Sequence, residues 1–153
     1  MIKVDIQRIT SSKELPENRQ IRNWIKKCLS FMQKEDAQLT VRIVDEEEGT
    51  RLNETWRNKN GPTNVLSFQY GDEQYTDHFI GDMVLCAPVI FREAGEQNKS
   101  PESHWAHMII HGTLHLLGYD HIKAEEAEEM ESLEVRILES LGYKNPYHFH
   151  ETV

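Results

Sequence analysis

Between Trp105 and Leu117 the chain carries apolar side chains on nearly every face a helix can offer: Trp105, Met108, Ile109, Ile110, Leu114, Leu116 and Leu117. A helix that is apolar all round has no side to give to water, so it must run through the middle of the molecule with other elements packed about it. Its start is marked by Ser100 and Pro101, a serine N-cap followed by proline at the first helical position, with Glu102 well placed against the helix dipole. Its end is marked by Gly118, because glycine readily takes the left-handed conformation that closes a helix and lets the chain turn back. His104, His107, His111 and His115 all lie on this buried helix, and His121 follows shortly after the glycine.

The rest of the pattern supplies what packs around that helix. Ile2, Val4 and Ile6 alternate with polar residues, as in a half-buried strand. From Pro16 onward Ile21, Trp24, Ile25, Cys28, Leu29 and Met32 recur at helical spacing, which predicts an amphipathic helix covering a sheet. Leu39, Val41 and Ile43 alternate as a second strand. Asp45 with Glu48 three residues later predicts a capping box opening a short helix that carries Leu52 and Trp56 and ends near Arg57.

Arg57 to Asn64 has the glycine, proline and asparagine content of an ordered loop. Val65 to Tyr70 reads as a third strand, Gly71 to Thr76 as a polar turn, and Ile80 to Cys86 as a central strand ended by Pro88. Val89 to Gln97 reads as a helix closed by a loop through Asn98 and Lys99. The last helix, Lys123 to Leu141, turns Ala127, Met130, Leu133, Ile137, Leu138 and Leu141 inward and an acidic face between Glu125 and Glu139 outward. Gly142 caps it, and the tail is expected to fray from about residue 146. Four strands interspersed with helices predict a single α+β domain over residues 1–153, a small mixed sheet packed with helices. Strand order does not follow from the pattern.

A chain of 153 residues with 38% hydrophobic and 28% charged residues is long enough to bury one proper core and leaves little room for a second. The longest apolar stretch, Met83 to Phe91, is far too short to span a membrane. No secretory apolar segment follows Met1, so no membrane partner is expected and the cytoplasm is the expected location. Cys28 and Cys86 form no CxxC motif and read as buried free thiols. A net charge of −9 argues against broad binding to nucleic acid, but it is unevenly spread. Residues 1–60 balance at +2 and the remainder at −11, so the first part can still offer a local phosphate site.

His111 and His115 are four apart, about 40° from one another around a helix axis, and project from one face. The turn at Gly118 brings His121 toward the same point. Three imidazoles hold a tetrahedral zinc with one open position, as catalytic rather than structural sites do, although they also suit nickel, copper or iron. His104 and His107 read as hydrogen-bonded structural residues, with His107 also placed to support His111 or stand in for a ligand. The spacing H-x-x-x-H-x-x-G-x-x-H is that of the metzincin proteases, but the glutamate those enzymes need after the first histidine is Gly112 here. A metal is therefore better supported than a peptidase, with Asp120 the one nearby carboxylate that could substitute.

The run from His111 to His121, together with Arg57, the segment Gly61-Pro62-Thr63-Asn64-Val65-Leu66-Ser67-Phe68 and the pair Gly81-Asp82, resembles the YbeY family of bacterial zinc-dependent endoribonucleases over about Leu39 to Tyr143. The resemblance implies one Zn2+ per chain on His111, His115 and His121, and a functionally important arginine at Arg57. It also implies a role in ribosomal RNA maturation, chiefly at the 3′ end of 16S rRNA, and in ribosome quality control. RNA, the small ribosomal subunit and assembly factors are then the expected partners, and DNA is not. Relatives often carry Asp where this chain has Asn64.

A guanidinium can grip a phosphate through two parallel hydrogen bonds and stabilise charge as it builds in the transition state. An arginine at the end of an amphipathic helix otherwise reads as a solvated surface charge. It is the family resemblance that makes Arg57 the expected catalytic residue, with Lys59, which fits a solvent-facing loop equally well, and Asn64 as further substrate contacts, in a single-strand-directed endoribonuclease whose nucleophile is either water or the RNA's own 2′-OH. Two rivals differ in kind: a zinc peptidase or amidohydrolase, and a non-catalytic ribosome-assembly factor in which zinc pins the last helix to the core.

Overall fold

The computed structural model describes residues 1–69, 78–120 and 122–147. The elements run β1 (Ile2–Arg8), α1 (Asn18–Phe31), β2 (Ala37–Val44), α2 (Glu46–Arg57), β3 (Val65–Gln69), β4 (Phe79–Cys86), α3 (Ala87–Glu96), α4 (Pro101–Leu116) and α5 (Ala124–Ser140). This is the expected α+β domain with a mixed four-stranded sheet. The strand order is β1-β2-β4-β3. β1 pairs parallel to β2 and β2 parallel to β4, while β3 runs antiparallel along β4 and forms one edge. The turn expected at residues 71–76 and the end of the third strand at Tyr70 lie outside the described residues.

Alternation along the strands sorts the apolar side chains to two faces. Leu39, Val41, Ile43, Met83 and Leu85 join Ile21, Ile25 and Leu29 of α1, Ile109, Ile110 and Leu114 of α4, and Ile137 and Leu138 of α5 in the main core. Val44, Leu66, Val84 and Cys86 form a smaller cluster on the other face, with Leu52 of α2 packed against it. As expected from its composition, α4 runs through the centre: it touches α1, α3, α5, β3 and β4, and eleven of its sixteen residues are buried. Cys28 and Cys86 are free thiols, both buried, and burial pushes the Cys28 thiol up to about 12.

Three local expectations are corrected. Asp45 precedes α2 but makes no side-chain cap, because Thr10 and Ser11 of the loop after β1 claim its carboxylate instead. Pro88 begins a helix rather than merely ending a strand: α3 starts at Ala87, and the proline falls in the first turn, where its missing N–H costs nothing. The tail is packed as far as Tyr147. Pro146 is buried, and the Tyr147 ring sits edge-on to His107 with centroids 5.4 Å apart. Residues 148–153 lie outside the described residues.

Candidate functional site

Helix α4 sets the site because its caps fix where its histidines fall. Ser100 accepts a hydrogen bond from the Ser103 N–H at 3.1 Å, the expected serine cap. At the other end Gly118 takes φ +103°, its N–H donates to the His115 carbonyl at 3.0 Å, and the Tyr119 N–H donates to the Leu114 carbonyl at 3.1 Å. This paired closure needs a left-handed residue at Gly118 and turns the chain sharply after the last histidine of the helix. His111 and His115 stand one turn apart with ring centroids at 4.7 Å. His121 lies outside the described residues, and among the described residues no group of three His, Cys, Asp or Glu side chains is arranged to hold a metal ion.

Behind His111 lies a carboxylate that the sequence reading did not single out. Glu134 of α5 is fully buried, and its two oxygens stand 2.7 Å from His107 Nε2 and 2.6 Å from His111 Nδ1. The Tyr147 hydroxyl donates to the first of these oxygens as well. Burial alone would raise the Glu134 pKa, but the hydrogen bonds from His107 and His111 outweigh it and hold the carboxyl down to about 2. Burial pushes His107 below the usual imidazole value even against the pull of Glu134, and Lys99 Nζ stands 3.5 Å from its Nδ1. One signal was available: Glu134 falls in register with Met130, Ile137, Leu138 and Leu141 on the inward stripe of α5, where a charged residue calls for a buried partner.

In front of His111 and His115 is an open cleft of about 870 Å³. Arg57 and Lys59 line it from the end of α2, Asn64 to Gln69 from β3 and its approach, and Tyr119, Asp120 and Ile122 from the segment after α4. Arg57 donates to the Ser67 carbonyl, and its guanidinium lies over the Phe68 ring at 5.1 Å. The structure thus brings Arg57, Lys59, Asn64, His111 and His115 to a single cleft from elements far apart in sequence. Asn64 is committed within the fold: its amide donates to both carboxylate oxygens of Glu93, at 3.1 and 3.2 Å, and its Oδ1 accepts from the Val65 N–H. His104, expected to be structural, bonds the same Glu93 at 2.9 Å.

Gly112 faces away from the cleft, toward the sheet. A Cβ there would lie 2.8 Å from Met83 Sδ and 3.1 Å from Val65 Cγ2, and the Gly112 carbonyl accepts from the Ser67 hydroxyl at 3.0 Å. The position that holds the general base of a metzincin is therefore filled by the approach of α4 to β3 and β4. A carboxylate side chain there would have to displace the side chains of Met83 and Val65.

Comparison with known proteins gives one consistent result. The family described as Endoribonuclease YbeY matches residues 5–142. A protein named Endoribonuclease YbeY from Pseudomonas savastanoi pv. phaseolicola is 52% identical over 149 residues, covering 96% of this chain and 89% of that relative. One of the same name from Coxiella burnetii is 48% identical over 152 residues, covering 96% of this chain and 99% of the relative. Among solved structures, the solution structure of a Thermotoga maritima protein superposes with a TM-score of 0.60 at 28% identity, covering 89% of this chain and 88% of that one.

Proposed function

The chain belongs to the YbeY endoribonuclease family and is an endoribonuclease of ribosomal RNA processing, and on that premise we propose that it cuts single-stranded RNA in the cleft between α2, β3 and α4. The observation that carries this reading is the convergence of Arg57 with His111 and His115 on one cleft. Stacked on Phe68 and tied to the Ser67 carbonyl, the Arg57 guanidinium is held in place before substrate arrives, which lowers the entropy cost of binding a phosphate. Arg57 orients the scissile phosphate and offsets the charge that builds on it, and Lys59 adds a second contact to the RNA backbone. Asn64 contributes by fixing how the loop enters β3.

The donor set suits a metal ion. Two imidazoles stand one helical turn apart at the cleft, and a buried carboxylate occupies the far nitrogen of one of them, as is usual behind a metal-ligating histidine. Held by His111, His115 and His121, one Zn2+ per chain would supply Lewis-acid polarisation at the scissile phosphate or its attacking nucleophile. With Gly112 packed against the sheet, Asp120 is, among the described residues that line the cleft, the carboxylate that would take a proton from the nucleophile.

We place the chain's substrate at the 3′ end of 16S rRNA, with the small ribosomal subunit and its assembly factors as partners, and its work in the cytoplasm, including ribosome quality control. Among the described residues no helix is long and apolar enough to cross a membrane. The test is to offer the purified chain a single-stranded RNA, its duplex and an unstructured peptide. Cleavage of the single strand alone is expected. Peptide turnover abolished by His115→Ala, with RNA left intact, would replace this reading by the peptidase one. End groups on the product then identify the nucleophile, since attack by the 2′-OH leaves a 2′,3′-cyclic phosphate and attack by water does not.

A further inference from the structure

We propose that Glu134 is a positioning residue that fixes the tautomer and orientation of His111, and that Tyr147, from the segment after α5, completes the hydrogen-bond shell that lets it do so. The role rests on the reading of His111 as a metal ligand.

An ionised carboxylate only accepts, so each group bonded to it must donate. His111 therefore carries its proton on Nδ1, 2.6 Å from Glu134, and His107 carries its proton on Nε2, 2.7 Å from the other oxygen. The Tyr147 hydroxyl donates to the oxygen that His107 uses, and burial beside Glu134 pushes its pKa up, which keeps it a donor. With Nε2 protonated, His107 turns Nδ1 as an acceptor toward Lys99 Nζ at 3.5 Å. In the neutral form of His111, with its proton on Nδ1, the lone pair is on Nε2, at the end of the ring opposite Glu134. A ligand whose other nitrogen is held by a carboxylate is both better oriented and more basic.

The cluster joins three segments. Glu134 comes from α5, His107 and His111 from α4, and Tyr147 from the stretch that follows α5. A purely structural role, pinning α5 to α4, would alter melting but not the tautomer of His111 or the affinity for zinc.

The test uses the full chain, 15N-labelled and metal-free, at about pH 8, where imidazoles are neutral. Nitrogen chemical shifts are expected to place the proton of wild-type His111 on Nδ1 and that of His107 on Nε2. Zinc affinity, read by chelator competition, is expected to fall about 10- to 100-fold in Glu134→Gln. Tyr147→Phe, which removes one donor and leaves the carboxylate, should lose less. A His111 proton found on Nε2 in the wild type, or a zinc affinity in Glu134→Gln within about twofold of wild type, overturns the proposal. Where Glu134→Gln fails to fold, the wild-type tautomer and Tyr147→Phe decide. The metal reading fails separately: His111→Ala binding zinc as wild type does would remove His111 from the ligand set, whatever its tautomer.

Discussion

Beside the cleft, the amide of Asn64 donates to both oxygens of the Glu93 carboxylate, an arrangement open to an amide and closed to an ionised acid. Burial works to raise the Glu93 pKa, but hydrogen bonds from His104 and Asn64 hold it below the usual carboxylate value. A carboxyl depressed in the folded state contributes stability that is present above its unfolded pKa, about 4.3, and is lost as pH falls through the lower folded value. Asn64→Asp sets a second carboxylate against the first, and both cannot ionise so close together. Melting followed from about pH 7 to pH 3 is expected to show Asn64→Asp destabilised by about 1–3 kcal/mol near neutrality. The gap to wild type should narrow as pH falls, because protonating the raised carboxyl of the pair relieves the repulsion. Coincident curves would contradict this account of Asn64. The tie between Asn64 and Glu93 was not legible in the sequence, because Glu93 lies 29 residues away and no local spacing links the two.

Helix α4 was the most legible element, since its all-round apolar pattern, serine cap and closing glycine are local signals that agree with one another. Asp45 read the other way: its spacing to Glu48 fits a capping box, yet partners from a loop some 34 residues distant take its carboxylate. Sheet order was not legible for a related reason. Alternation says which face a side chain takes and nothing about which strand lies beside it. Glu134 was hidden by its company, a buried acid among the solvated acids of α5. The packing of α4 on the sheet carries its own prediction. Gly112→Ala inserts a methyl group where Met83 and Val65 already stand, and overpacking of this kind costs about 1–3 kcal/mol. Chemical denaturation is expected to show that loss, and a variant as stable as wild type would mean that the Met83 side chain moves aside to admit the methyl group.

Across the whole molecule, the two halves of the cleft come from opposite sides of the sheet's last hairpin. α2 and the loop after it bring Arg57 and Lys59, and α4 brings the histidines. They also come from parts of the chain with opposite charge balance: residues 1–60 stand at +2 against −11 for the rest, so the two cleft cations come from the less acidic part of the chain. The histidine spacing pointed in the sequence to metal chemistry, whereas the pairing of those histidines with an arginine 54 positions earlier rested on family resemblance until the fold brought Arg57, His111 and His115 to one cleft. In the proposed function these halves do separable jobs, one holding metal and one holding phosphate. Metal content and cleavage of single-stranded RNA, measured together on wild type, His115→Ala and Arg57→Ala, test it most directly. The wild type should carry one zinc per chain and cleave. His115→Ala should lose both, and Arg57→Ala should keep the zinc while its turnover drops about 100- to 1,000-fold. Full cleavage by Arg57→Ala, or by a chain that holds no metal, would contradict the account.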